Sequence, residues 1–270
     1  MDPKKDIAVC IPTLNGPERL ERCLRSVAKH MPAHPLSVAV LVCDDGSRQD
    51  CLEKNKFIAG ALGATFLPHG ERRGVPSAWN TLSQHAIKAL GAKVIALIND
   101  DVEVVADWLD VLAFSVLENA HAGMIGLNAW PGVTSDQFTP RVPDYNEAVL
   151  SHGRGLLSTC GYCFAFSSEK YLAVGGFDQR YFCFYEEVDL GTAFTNRGWP
   201  SYMASYPIIL HQGSATTSVP ANVDAGARLN ESRIKYQEKW GSVEAQRRLM
   251  DAQVWPSCLC WNTGLKRLTV

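Results

Sequence analysis

The chain has 270 residues, 46% of them hydrophobic and 20% charged, enough to bury a sizeable core as one large domain or two fused halves. Its 26 Lys and Arg are balanced by 28 Asp and Glu, for a net charge of -2, which argues against a nucleic-acid partner, whose phosphates call for concentrated positive charge. No apolar run reaches the ~20 residues needed to span a bilayer, and the start, Met1 to Asp6, runs straight into a strand-like segment, so a soluble chain is expected.

Ile7-Ala8-Val9-Cys10-Ile11 reads as a buried strand ending at Pro12. Asn15-Gly16-Pro17 then opens a helix whose apolar face is Leu20, Cys23, Leu24 and Val27. A second strand, Val38 to Cys43, ends in Asp44-Asp45-Gly46-Ser47, and a third, Ala64 to Leu67, leads into a loop from Pro68 to Gly74. Ser77 is expected to cap a helix with Ala78, Leu82, Ala86 and Ala89 on one face. The fourth strand, Val94 to Ile98, ends at Asn99-Asp100-Asp101. These continuous apolar runs suit parallel strands covered by helices on both faces, and both acidic clusters fall at carboxyl ends of strands, where open α/β sheets bind ligands.

Beyond Asp107 a helix carries Trp108, Leu112 and Val116, and Gly123 to Ala129 reads as a strand. The polar, proline-containing stretch from Trp130 to Arg154 has the length of a lid or binding loop. Cys160 to Phe166 returns to strand character, Glu169 to Val174 is a short helix stopped by Gly175-Gly176, and Glu186-Glu187-Val188-Asp189 opens another that runs to Gly198. Strand-like Ile208 to Leu210 precedes His211, residues 215 to 226 look loose, and a polar helix, Ala227 to Trp240, leads to an aromatic tail with Trp255 and Trp261. The nine cysteines form no convincing disulfide or zinc pattern and are expected to be reduced.

Carboxylates at strand ends serve either as ordinary turn residues or as holders of a divalent cation shared with substrate phosphates. Neither Gly-x-Gly-x-x-Gly nor the Walker pattern is present, which disfavours a dinucleotide dehydrogenase. His211 fits either a carbonyl-bonded structural histidine or a metal ligand, and Arg72 or Arg73 either a solvated pair or a phosphate contact.

Taken together, Pro12-Thr13-Leu14-Asn15, Asp44-Asp45-Gly46-Ser47, Arg73-Gly74 with Asn80, Asn99-Asp100-Asp101, Gly175-Gly176-Phe177-Asp178, Tyr185 to Leu190 and His211 resemble, in order and spacing, inverting glycosyltransferases of the GT-A fold, family 2, of the rhamnosyl- and galactofuranosyltransferase type. Lys239-Trp240-Gly241 fits the same pattern, so the resemblance spans residues 7 to about 241.

The resemblance implies an α/β fold with a Rossmann-like, mostly parallel sheet: one domain over 1–241, with a nucleotide-sugar half (1–105) and an acceptor half (106–241), followed by a helical and aromatic tail (242–270). It implies a nucleoside-diphosphate-sugar donor of UDP, dTDP or GDP type, contacted by Pro12, Thr13, Asn15, Asp44, Asp45, Arg73, Asn80, Asn99 and Asp100. Asp101 and His211 would hold Mn2+ or Mg2+, and Trp130, Gly176 and Asp178 would meet a glycan or other hydroxyl acceptor. Glu187 would be the base, with Glu186 the neighbouring alternative and Asp189 holding the helix start or orienting the acceptor. Two departures stand out: Asn99 replaces the first Asp of the Asp-x-Asp signature, and Glu187 stands where Asp is common. A cytoplasmic location is expected, with peripheral contact to the inner face of a membrane and homo-oligomerisation both left open. The competing readings are a nucleotidyltransferase and a noncatalytic nucleotide- or carbohydrate-binding module.

Overall fold

A computed structural model of the protein describes residues 4–31, 36–105, 107–136, 157–213 and 225–251. Among these residues eight strands form one sheet: β1 (Ile7–Thr13), β2 (Val38–Asp44), β3 (Thr65–Pro68), β4 (Val94–Ile98), β5 (Val102–Val104), β6 (Met124–Pro131), β7 (Cys163–Ser167) and β8 (Tyr202–His211). Eight helices accompany them: α1 (Pro17–Lys29), α2 (Gln49–Ala61), α3 (Val75–Lys88), α4 (Trp108–Glu118), α5 (Ser168–Val174), α6 (Glu186–Thr195), α7 (Ala225–Trp240) and α8 (Val243–Asp251).

The sheet order is β3-β2-β1-β4-β7-β6-β8-β5. The first four strands in that order are parallel, as their unbroken apolar runs require. Beyond β4 the sheet is mixed: β7 runs antiparallel to both β4 and β6, β8 is parallel to β6, and β5 is antiparallel to β8. The β4–β7 ladder makes the sheet continuous across the two halves of the chain.

Strand periodicity sorts the core onto the two faces of the sheet. Ile7, Val9 and Ile11 of β1 pack with Leu20, Leu24 and Val27 of α1, in a cluster that also takes Trp108 and Leu112 of α4. Ala8 and Cys10 point the other way, into a cluster with Ala78, Trp79 and Leu82 of α3 and Leu190 and Phe194 of α6. All of these side chains are essentially removed from water, so both faces of β1 are covered by helices.

Several expectations are corrected. Helix α2 has no strong apolar stripe: only Cys51, Asn55 and Ala59 are buried and Phe57 is 77% exposed, which hid it from a periodicity reading. Strand β5, three residues long, gives no pattern of its own. Ser77 lies inside α3, not at its cap, because the helix begins after Gly74. Trp130 belongs to the end of β6, paired with Leu210, and is not a loop residue. Cys160-Gly161-Tyr162 forms a turn before β7 instead of its first residues. Of the lid expected from Trp130 to Arg154, Trp130 and Pro131 end β6 and residues 137–154 lie outside the described residues; of the loose stretch expected over 215–226, residues 225 and 226 begin α7 and the rest lie outside them, as do Trp255 and Trp261.

Candidate active site

The order β2-β1-β4 makes the chain switch direction between β1 and β4, and the crevice at their carboxyl ends is the place such a sheet offers a ligand. A cavity of about 850 Å³ opens there. It is lined by Pro12, Thr13 and Leu14 at the end of β1, Asn99, Asp100 and Asp101 just after β4, His211 at the end of β8, and Glu186 and Glu187 at the start of α6.

Asp100 is anchored to protein. The Thr13 hydroxyl donates to its Oδ2 at 2.7 Å, and the Arg19 guanidinium of α1 reaches both carboxylate oxygens at 3.4 Å. Burial pushes the Asp100 carboxyl up to about 6, opposed by the Arg19 charge and the Thr13 bond. Gly16 permits this approach: a Cβ there would sit 2.3 Å from the Arg19 guanidinium and 2.9 Å from Asp100 Oδ2. Arg19 was missed at the sequence level, although a cation in the first turn of a helix beside an acidic strand end was the signal available.

Asp101 and His211 are brought together by the β5–β8 ladder, in which Val102 pairs with His211 and Gln212 N–H donates to the Asp101 carbonyl at 3.0 Å. His211 Nε2 lies 3.4 Å from Asp101 Oδ1, yet Oδ1 is buried without a hydrogen-bond partner. Burial raises the Asp101 carboxyl, but the neighbouring imidazole outweighs it and holds the group below its usual value. The Tyr162 ring lies against His211, with centroids 4.4 Å apart, and fixes the imidazole plane. An orphaned carboxylate oxygen facing an imidazole nitrogen fits a divalent cation held by two protein ligands. No group of three or more His, Cys, Asp or Glu suited to a metal occurs among the described residues, so further ligands would come from substrate or water.

The acidic pair at the start of α6 follows strained backbone. Phe184 and Tyr185 both have positive φ, 67° and 68°, immediately before Glu186 and Glu187 start α6. Burial pushes Glu186 up to about 8, with the Glu187 charge adding to it, and Glu186 Oε2 has no hydrogen-bond partner. Glu187 is raised as well, again chiefly by burial, and its carboxyl borders Gly161. Two adjacent carboxyl groups in one dry wall hold a proton between them more readily than two charges.

Other expected site residues are hydrogen-bonded within the protein. Asp44 accepts from Ser47 N–H and the Asn55 amide, both at 2.8 Å, and Asn15 bonds Ser47 and Arg48, so these two tie the turn after β2. Asp45 lines the cavity and accepts from the backbone of Arg73 and Gly74 and from His69. The Arg73 side chain is over half exposed, near Glu71. Asn80 is spent on Phe177, through both its backbone N–H and its carbonyl, and on the Tyr171 hydroxyl. Gly176 packs on that same Tyr171, and Asp178 pairs with Arg180 and Lys239. Asn80, Gly176, Asp178 and Trp130 are not among the residues lining the cavity. Asp189 accepts from Tyr181, Lys239 and Trp240, which fastens α6 to the end of α7. Leu229 of α7 and Val243 and Arg247 of α8 line the cavity, so helices beyond α6 also build its wall.

Residues 8–173, well over half the chain, match the family described as Glycosyl transferase family 2. The chain belongs to glycosyl transferase family 2. A 63-residue stretch is 38% identical to the N-acetylglucosaminyl-diphospho-decaprenol L-rhamnosyltransferase of Mycobacterium tuberculosis, but that match spans only 23% of this chain and 20% of the relative. Among solved structures, GalNAc-T7 with UDP, GalNAc and Mn2+ superposes with a TM-score of 0.64 at 16% identity, covering 92% of this chain and 51% of that one. The mannosyltransferase PcManGT of Pyrobaculum calidifontis, in complex with GDP-Man and Mn2+, gives 0.57 at 16%, covering 92% and 79%. TarS of S. aureus gives 0.58 at 14%, covering 89% of this chain and 44% of TarS. These likenesses identify the architecture of this family 2 chain as the GT-A fold.

Proposed function

We propose that this family 2 protein is an inverting glycosyltransferase that moves a sugar from a nucleoside-diphosphate-sugar to an acceptor hydroxyl. The observation that carries this reading is one cavity lined both by the Asp101–His211 pair and by the Glu186–Glu187 pair. In a single displacement the acceptor attacks the anomeric carbon from the face opposite the nucleotide, so a base and a diphosphate site must stand apart across the sugar.

Asp101 and His211 would hold a divalent cation, Mn2+ or Mg2+, a reading supported by the orphaned Oδ1 and by the Mn2+ in the complexes of two structural relatives. Bound there, such an ion would supply charge compensation for the departing diphosphate. Pro12, Thr13, Leu14 and Asn99 form the wall along which the nucleotide would lie. Arg19 keeps Asp100 locally balanced, so the ligand role falls to Asp101. Glu187 takes the acceptor proton, because it lies in the cavity and is less enclosed than Glu186. The raised carboxyls of the pair bring their proton affinity closer to neutrality, which suits a base that must accept and then release a proton.

The UDP and GDP-Man in the relatives' complexes support a nucleotide-sugar donor for this chain. The diphospho-decaprenol in the name of the partial relative supports a lipid-linked glycan acceptor met at a membrane surface. No helix among the described residues is long and apolar enough to cross a membrane. The test is product analysis with UDP-, dTDP- and GDP-sugars, with and without Mn2+ and Mg2+. Free nucleoside diphosphate is expected; sugar 1-phosphate, the leaving group when the nucleotidyl group moves, would mean nucleotidyl transfer, and binding without turnover a noncatalytic module.

A further inference from the structure

Two arginines meet one phenylalanine at the cavity. The Arg72 guanidinium lies 4.9 Å from the Phe182 ring centroid, and that of Arg228, from α7, lies 4.2 Å from it. Arg72, Phe182 and Cys183 line the cavity, as do Glu186 and Glu187 further along the Phe182 segment. The segment is held from two sides. The Phe182 carbonyl accepts from Val75 N–H at 3.0 Å, and the Cys183 carbonyl accepts from the Ser232 hydroxyl of α7 at 2.8 Å. The start of α3 and the middle of α7 thus close on the same two residues, which brings Arg72 and Arg228 to one place from distant parts of the chain.

A guanidinium is attracted to an aromatic ring, but two of them at one ring repel each other. Among the described residues neither arginine forms an ion pair with a carboxylate, and the acidic neighbours Glu71 and Glu231 are engaged by Arg73 at 3.8 Å and by Lys235 at 2.6 Å. Both charges act on Cys183: burial and then the Glu186 charge push its thiol up, and Arg228 and Arg72 oppose that rise. Arg247 and Asp251, one helical turn apart on α8, also line the cavity, with opposite charges that add nothing net. An anion shared by Arg72 and Arg228 would remove their repulsion. Two guanidinium groups offer forked N–H donors and two positive charges, which a phosphate group of about −1.5 to −2 matches and a single carboxylate does not.

We propose that Arg72 and Arg228 bind a phosphate group of the acceptor, so that the acceptor is a phosphate-bearing sugar whose hydroxyl reaches the acidic pair that follows Phe182. The proposal rests on the reading of Glu187 as the base that meets the acceptor.

The test uses the full chain saturated with Mg2+ and whichever of UDP, dTDP and GDP it binds, so that the nucleotide's own phosphates are already in place. Inorganic phosphate, octyl phosphate and acetate are then titrated by calorimetry. Both phosphates should bind, and acetate should bind at least ~10-fold more weakly. Octyl phosphate binding ~10-fold or more tighter than inorganic phosphate would place the group on a lipid carrier; equal affinities would place it on a water-soluble acceptor. Arg72→Ala and Arg228→Ala should each weaken phosphate binding ~10-fold or more, with nucleoside diphosphate affinity within about twofold of wild type. Arg228→Lys, which keeps the charge and loses the planar fork, should lose less than Arg228→Ala. The two arginines reach the site from separate elements, so either variant answers alone if the other does not fold. Absence of phosphate binding in wild type, equal binding of acetate, or phosphate binding that survives the double variant would overturn the proposal. An equal loss of nucleoside diphosphate affinity in both single variants would also overturn it, by giving the pair to the donor. Phosphate binding that needs both arginines, without sugar transfer from any nucleotide-sugar, would sink the glycosyltransferase reading and leave the anion site standing, so the two failures are told apart.

Discussion

The Asp101 carboxylate and the His211 imidazole face each other at 3.4 Å because the β5–β8 register sets Val102 opposite His211. A strand of three residues thus completes a site whose two side chains lie far apart in the chain. Gln212 N–H, bonded to the Asp101 carbonyl, locks the backbones, and Tyr162 locks the ring.

This pair carries the first prediction. Nucleoside diphosphate binding should strengthen in Mn2+ or Mg2+, and Asp101→Ala should remove at least ~10-fold of that gain, about 1.4 kcal/mol. His211→Ala should remove less, since water can take over an imidazole's position. Titration calorimetry with and without chelator measures both. A metal increment that survives Asp101→Ala would end the ligand assignment.

Glu187→Gln should leave nucleotide affinity near wild type and lower kcat by ~10²-fold or more, the scale of general base catalysis. Steady-state kinetics beside equilibrium binding separates the two effects. Near-normal turnover there, with collapse in Glu186→Gln, would move the base to Glu186, whose carboxyl shares the same dry wall.

Stability should respond to pH through Glu186. Its folded value of about 8 lies above its ordinary 4.5, so the folded state binds the proton more tightly. The resulting stabilisation is fully present below 4.5 and is lost as pH rises through 8. Thermal unfolding followed across that window should show Tm falling with pH, and Glu186→Gln should flatten the slope. A variant that keeps the wild-type slope would place the proton on another group.

Trp240→Phe keeps an aromatic ring but deletes the N–H that donates to Asp189 at 2.6 Å. Hydrogen bonds to charged groups contribute ~1.5–3 kcal/mol, so urea unfolding should show a loss of that order. Lys239→Met should add to it, because Lys239 reaches both Asp178 and Asp189. Indifference of stability to both changes would mean that α7 does not hold the start of α6.

Much of the architecture was written in local pattern. Val94 to Ile98, continuous and apolar, was legible as a strand to the residue, and the Leu20, Cys23, Leu24, Val27 stripe as the buried face of a helix, because burial on both sides of a sheet or on one side of a helix leaves a periodic trace. The acidic clusters at the ends of β2 and β4 were legible too, since a strand's end marks which edge of the sheet its next residue occupies. What each carboxylate does was not. Asp100 and Asp101 are neighbours of the same type, yet one meets Thr13 and Arg19 and the other meets His211; Asp45 meets His69 and the backbone of Arg73 and Gly74, Asn80 meets Phe177 and Tyr171, and Asp189 meets Lys239 and Trp240. Those outcomes depend on sheet order and ladder register, which bring partners from distant parts of the chain within hydrogen-bond reach. A sequence records which groups can bond; the tertiary structure decides which donors arrive, because hydrogen bonds and ion pairs weaken within a few tenths of an ångström and a few tens of degrees of misalignment.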